Sequence, residues 1–462
     1  MPVTKRTPKT VQIAGLPCIH LHAAGMDIGV DEIVVAVPPD ADPQPVRVFR
    51  TFTPDLHALV AWLVACRIDT VALESTGVYW IPIYDLLAQH GIIPYLVNTR
   101  HVKMVPGRTS DWNDAQWLQQ LHALGLLRAS FRPDAEITAL RTLVRYRAEL
   151  IQHRAPHILH MQQALQQMNI QLERVLSDIM GLTGQAILRA IVAGERDPVV
   201  LAQHRNPACK SSTDTIAKAL TGTWKDEHLF VLQQALVLYD VYTAQIAVCD
   251  AQIEQYLQAM ESRTDDPHVP LPDLPPAKAD SRTKNASPPA TRAQYAQIVG
   301  VDLVAVMGLS ASGVQTILSE IGTDMSRFPT VKHFCAWLGL VPRNDISGGN
   351  VLRSRTRKVV NRATQAFRQA AQAVARSHAA IGAYYRVVRA RKGPQQATVA
   401  TAHKIARTFY HLLKHGEEYR AESAAAYEHQ RQEREIRALT RRAQKLGYTL
   451  EQIRSPTQAP PT

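Results

Sequence analysis

Four acidic side chains in the first quarter of the chain stand where acids are costly or paired. Asp27 interrupts the apolar run GMDIGV, and Glu74 closes another, VALE. A charge buried in such a strand needs a partner. Asp111 and Asp114 lie three residues apart in DWNDAQWLQQLHALG, a helical pattern, so they share one face. Carboxylates from two strands and one helix suit hard divalent cations, magnesium or manganese rather than zinc. Two such ions about 3.5–4 Å apart clamp the attacking and leaving oxygens of a phosphodiester. For Asp111 or Asp114 taken singly, the plainer reading is an acid decorating a helix N-terminus, where negative charge is favoured.

A second chemistry-bearing stretch lies far downstream. From Ile346 to Gly416 the chain holds fourteen Lys and Arg and no Asp or Glu. Ser347 opens this run, followed by Gly348 and Gly349, which permit a tight turn and the approach of a bulky ligand. An alcohol is a weak nucleophile until a base or a metal activates it. Arg353, Arg355 and Arg357 suit the neutralisation of phosphates and of the charge on a pentacoordinate phosphorus. Arg343, Lys358 and Arg362 complete the candidate nucleic-acid contacts. By spacing alone, Ser347 is a turn residue ahead of a helix. That helix carries an apolar stripe of Val360, Ala363, Phe367, Ala370, Ala371 and Val374, with arginines opposite. Upstream, VMGLSASGVQTILSEIG has the glycine-turn-helix form of a helix-hairpin-helix element, whose helix start suits a phosphate or, equally, packs as an ordinary helix pair.

These residues sit in a chain of 462 residues, long enough for two or three domains, with a formal net charge of +12. The charge is polarised, since residues 20–140 hold thirteen acids against eight Lys and Arg. A polarised basic surface favours a polyanion partner, nucleic acid before membrane, over the alternative of a merely solvating face. Five scattered cysteines form no CxxC pair and read as reduced thiols. No secretory signal and no apolar run of membrane-spanning length is present, so a cytoplasmic location is expected.

The elements that must position the acids follow from local patterning. GMDIGV, EIVVAVPP and VRVFRTF are three short strands; TPDLHALVAWLVACR is an amphipathic helix with Thr53 as its N-cap; TVALEST and IIPYLVN are further strands flanking a second helix. That order predicts an α/β domain over 22–133, a mixed sheet with helices packed on it, RNase H-like in arrangement. Residues 1–21 are expected to be disordered. Over 134–260 long helices predominate. One coiled-coil seam runs Ile158, Met161, Leu165, Met168, Leu172, Val175, with Pro156 expected to kink or restart its helix. Another runs Leu232, Leu236, Tyr239, Ile246, Ile253, Leu257, with Thr243 and Asp250 as weak rungs; whether the two pair within the chain or across a dimer stays open. Residues 261–295 hold seven prolines and read as a flexible linker, 296–416 as a mostly helical domain, and 417–462 as a charged helical tail with a disordered end.

The blocks MDIG, ALESTG, GRTSDWNDAQWLQQLHALGLLRASFRP and EIGTDMSRFPTVKHFCAWLGLVPRNDISGG resemble the transposases of insertion sequence family 110, in particular its 1111 subgroup. The resemblance runs from about residue 22 to 415. It implies a RuvC-like N-terminal domain whose DEDD quartet falls on Asp27, Glu74, Asp111 and Asp114, a coiled-coil middle, and a C-terminal transposase domain whose catalytic serine falls on Ser347. It further implies recombination of element ends with target DNA, guided by a structured non-coding RNA, through a 5′-phosphoserine, with magnesium or manganese, in dimers and tetramers. Two features depart from the family pattern: RKVVNRATQAFRQAA lacks a customary glycine, and the proline-rich stretch looks inserted. The rival readings are an RNase H-like hydrolytic endonuclease or junction resolvase, in which water attacks and Ser347 is structural, and a non-catalytic nucleic-acid-binding protein.

Overall fold

The structure is a computed structural model that describes residues 17–75, 77–98, 102, 114–260, 285–357, 359, 361–421 and 423–451. The chain divides into two compact units, residues 1–132 and 133–462.

In the first unit, β1 (Ala23–Ile28), β2 (Glu32–Ala36), β3 (Val46–Arg50), α1 (Thr53–Ala65), β4 (Thr70–Ser75), α2 (Trp80–Gln89), β5 (Ile93–Leu96) and α3 (Asp114–Ala123) follow in chain order. The sheet order is β3-β2-β1-β4-β5. β1 pairs antiparallel with β2 and β2 with β3, whereas β4 runs parallel to both β1 and β5. This mixed sheet fits a RuvC-like domain. Its central strands β1 and β4 read as apolar runs because both of their faces are covered. Ala24, Met26 and Ile28 of β1 pack with Leu59 and Leu63 of α1 and with Ile83 and Leu87 of α2. On the other face, Ala72 of β4 packs with Trp117, Leu118 and Leu121 of α3. Two details differ from expectation. Helix α1 begins at Thr53 with Phe52 at the cap and no side-chain cap bond. Part of the stretch expected to be disordered is tied down: the Ile19 and His20 amides both donate to the Ala123 carbonyl at the end of α3.

The second unit opens on α4 (Ala135–Gln167), capped by the Asp134 carboxylate, which accepts from the Ile137 amide. α4 pairs antiparallel with α7 (Asp226–Ala259), within the chain; Tyr256 reaches the Glu136 carbonyl while Arg154 meets Thr243. Between them lie α5 (Leu182–Val192) and α6 (Thr213–Leu220). The apolar rungs expected on α7 are buried, and the two polar ones have specific work. Asp250 accepts from Arg147, and Thr243 Oγ1 accepts from Arg154 at 3.1 Å. The other seam is corrected. α4 runs without interruption through Pro156, since proline removes one amide from a helix that α7 supports along its length. The helix then stops at Gln167, with Asn169 at φ 55°, so Leu172 and Val175 belong to a separate short turn of helix.

The segment read as linker over 261–295 is also corrected at its end. The Asn285 and Ala286 carbonyls accept from Arg147, Asn285 Oδ1 accepts from Arg154, and Ser287 is buried. Helix α8 (Ala290–Val299) follows at once. Its prolines, Pro288 and Pro289, start a helix, where a missing amide costs nothing. Beyond lie α9 (Ala311–Ile321), α10 (Val331–Trp337), a hairpin of β6 (Pro342–Ser347) and β7 (Asn350–Thr356), α11 (Arg362–Ala373), α12 (Ala380–Lys392), α13 (Pro394–His415) and α14 (Ala424–Lys445). Phe334, Phe367 and Phe409, from α10, α11 and α13, form an aromatic core in edge-to-face contact. Among the described residues no helix is long and apolar enough to cross a membrane.

Candidate functional site

Asp27 and Glu74 are register partners across the parallel β1–β4 pair. Register partners point to the same face, and neighbouring strands lie about 4.8 Å apart. Both carboxylates are half-buried at the C-terminal ends of their strands, where open α/β sheets bind ligands. Their face is the one that α3 covers, because Gly25 and Ala72, two residues earlier on each strand, are also register partners. Two like charges at such positions cost up to about 1 kcal/mol. A cation shared between them reverses that sign.

Gly25 decides how closely α3 approaches. A Cβ there would stand 2.2 Å from the Ala115 carbonyl oxygen and 2.2 Å from the Gln119 amide nitrogen, so only glycine fits. Gln119 Nε2 donates to the Ala23 carbonyl, so α3 runs antiparallel to β1 and brings its N-terminal turn, with Asp114, toward the Asp27 end. Asp111 lies outside the described residues. Among the described residues no group of three or more His, Cys, Asp and Glu is placed to hold a metal ion. The sheet pair is therefore brought together, and Asp114 stands at the start of the helix laid across it.

The other end of α3 is pinned by His122, which is fully buried and makes tilted ring contacts with His20 and Tyr95. Thr70 donates its hydroxyl proton to the Ile93 carbonyl, so His122 Nε2, 2.9 Å away, serves as the donor to Thr70. Burial, with the neighbouring His20 adding to it, lowers the His122 pKa from 6.5 to about 4. The folded-state value is the depressed one, so this stability is complete above pH 6.5 and is lost as pH falls from 6.5 through about 4. We expect the wild type to lose stability over that window, and His122→Gln to lose markedly less, as read by thermal melts.

Ser347 ends β6, at the tip of a hairpin whose strands are exposed along their whole length. Gly348 and Gly349 form its two-residue loop at φ 55° and 80°, both in the left-handed region that the twist of a tight hairpin requires. Expected as a turn before a helix, the serine is instead a strand residue in a turn between strands. A bulge breaks the register between Asp345 and Ile346, so Val351 and Leu352 together oppose one residue of β6. Ser347, Asn350, Asp345, Arg353, Arg343 and Arg355 then share one face, while Ile346, Val351 and Leu352 lie on the other. Three of the candidate arginines thus stand on the serine's own side.

Two family models match the chain. One, the DEDD transposase model of family IS110, described as a transposase, covers residues 24–170. The other, described as the transposase IS116/IS110/IS902 family, covers residues 303–386. Together they take in half of the chain, including the acid pair and the serine hairpin. The chain belongs to the transposases of insertion sequence family 110. It is accordingly an enzyme that acts on DNA. No curated protein gives a significant match.

The remaining candidate contacts of the transposase divide by position. Arg357 donates to the Ala336 carbonyl at the foot of the hairpin, at the end of α10. Lys358 and Val360 lie outside the described residues. Arg362 opens α11 and lines a cavity of about 620 Å³, together with Arg145 of α4 and Ser310 and Gly313 at the start of α9. Ser310 caps α9, accepting from the Gly313 amide at 3.1 Å. The expected stripe of α11 is buried at Ala363, Phe367, Ala370, Ala371 and Val374.

The hairpin's foot is held where its two chains cross. A Cβ on Gly339, at φ 64°, would stand 2.5 Å from Val359 Cγ2. We expect Gly339→Ala to destabilise the second unit by about 2–3 kcal/mol, through overpacking added to left-handed strain. Gly416→Ala, at φ 69° with no atom within 4 Å, should cost only the strain, about 1 kcal/mol. Urea denaturation midpoints distinguish the two.

Proposed function

We propose that this transposase is a metal-dependent serine recombinase guided by a structured RNA. The observation that carries the reading is the Asp27–Glu74 register pair on the sheet face that α3 crosses. Asp27 and Glu74, with Asp114 and Asp111, offer oxygen donors only, which fit magnesium or manganese. When bound there, such ions supply Lewis-acid charge that favours a deprotonated nucleophile and a departing alkoxide. Ser347 Oγ loses its proton and attacks the scissile phosphorus. The bond to the 3′ oxygen breaks, that oxygen takes up a proton, and a 5′-phosphoserine remains. Attack by a new 3′ hydroxyl reverses these events and rejoins the strand. Arg343, Arg353 and Arg355, on the serine's face, neutralise the phosphate.

Guidance by RNA, assembly into dimers and tetramers, and membership of the 1111 subgroup are drawn from the sequence blocks. The run of fourteen cations without an acid is in keeping with the first. The test is denaturing-gel capture on suicide-substrate DNA with magnesium, using protein purified with its associated RNA. Digestion of the captured species should yield one nucleotide-bearing peptide, containing Ser347. Cleaved DNA without any linked protein, or a linkage elsewhere, would overturn the reading.

A further inference from the structure

The hairpin that bears Ser347 has a second face which the phosphate chemistry leaves unused. Ile346, Val351 and Leu352 are 62%, 55% and 73% exposed, side by side at the tip. No atom lies within 4 Å of a Cβ built on Gly348 or Gly349, so the tip stands clear of the other described residues. An isolated two-stranded ribbon is marginally stable in water and gains from a surface that covers it. Three apolar side chains on a free ribbon therefore call for an occupant.

Charge and area identify it. Arg343, Arg353 and Arg355 line the reverse face of the same ribbon, with Asp345 as the hairpin's one acid. A surface with that balance attracts a polyanion. A second copy of the chain is a poorer fit, because three side chains supply only a fraction of the roughly 800 Å² per partner that a stable protein interface buries. A ribbon has the width to enter a duplex groove. Leucine, isoleucine and similar wedges unstack base steps when inserted from a groove.

We propose that Ile346, Val351 and Leu352 form a wedge that enters duplex DNA beside the scissile phosphate, with Leu352 unstacking one base step. The inference rests on the reading that places Ser347 against that phosphate. The bulge sets the division of labour: one face of the ribbon presents the hydroxyl and guanidiniums, and its reverse presents the wedge. Leu352 is a positioning residue, acting through the shape of the DNA.

The probe is a target duplex with 2-aminopurine at each step next to the cleavage position, mixed with RNA-loaded protein carrying Ser347→Ala to prevent turnover. Binding should raise the fluorescence at one step. Adding Leu352→Ser should cut that rise about fivefold, and Leu352→Met should restore it, as both methionine and leucine serve as wedges. DNA affinity should stay within about threefold, since the phosphate contacts are untouched. In protein with Ser347 intact, a mismatch at that step should rescue cleavage by Leu352→Ser. Flat fluorescence in every complex overturns the wedge while leaving adduct formation by the wild type standing. A fluorescence rise without any adduct fails the serine chemistry and leaves the wedge intact. Loss of self-association on Leu352→Ser without DNA assigns the face to a second copy and overturns the proposal.

Discussion

Asp27→Asn and Glu74→Gln are each expected to lower magnesium-dependent DNA cleavage about a thousandfold, since a bound divalent ion contributes several kcal/mol of transition-state stabilisation. Each replacement keeps size and shape and changes only charge, so the β1–β4 pairing and the cover of α3 should survive, as read by circular dichroism. The pair acts as one unit, so the double variant should be little worse than either single variant. An independent readout is thermal: magnesium at a hundred times its dissociation constant raises stability by about 2.7 kcal/mol. Wild-type protein should show that shift and both variants should lose it. Full cleavage by Asp27→Asn in magnesium would sink the metal-site reading.

The acid pair was legible in the sequence for a physical reason. A charge inside an apolar strand is costly, and two such strands in an RNase H-like order have few reasons to keep one each. The five-stranded sheet was legible too, because its strands are short, rich in β-branched residues and punctuated by turn residues. Gly25 was readable in principle, as a lone glycine in a strand marks a close backbone approach, but its partner α3 lies some ninety residues on. The hairpin escaped because PRNDIS and NVLRSRT are exposed on both faces and carry no core-facing alternation. Its signal was the pair Gly348 and Gly349 between two extended runs. Arg147 and Arg154 show a third kind of gap. Nothing local predicts that two buried arginines of α4 will fasten both α7 and residues 285–286, and so composition alone made the end of the linker look free.

Ser347→Ala is expected to abolish the covalent adduct altogether while leaving the fold and DNA affinity unchanged. The side chain is exposed at a hairpin tip, so its removal opens no cavity, and surface substitutions of this kind stay within about 0.5 kcal/mol. Arg343, Arg353 and Arg355, proposed to neutralise the phosphate, remain in place on the same face, so gel-shift affinity should follow the wild type. What disappears is the hydroxyl proposed to attack phosphorus, and neither Asn350 nor Arg353 replaces it as a nucleophile. The serine and water mechanisms diverge at this variant. If Ser347 carries the bond, Ser347→Ala yields neither adduct nor strand exchange, and Asp27→Asn gives the same blank lane. If water attacks, Ser347→Ala still nicks in magnesium, Asp27→Asn does not, and no variant ever traps protein on DNA. Only the combination of a trapped wild type, an untrapped Ser347→Ala and an untrapped Asp27→Asn joins the hydroxyl and the carboxylates in one reaction.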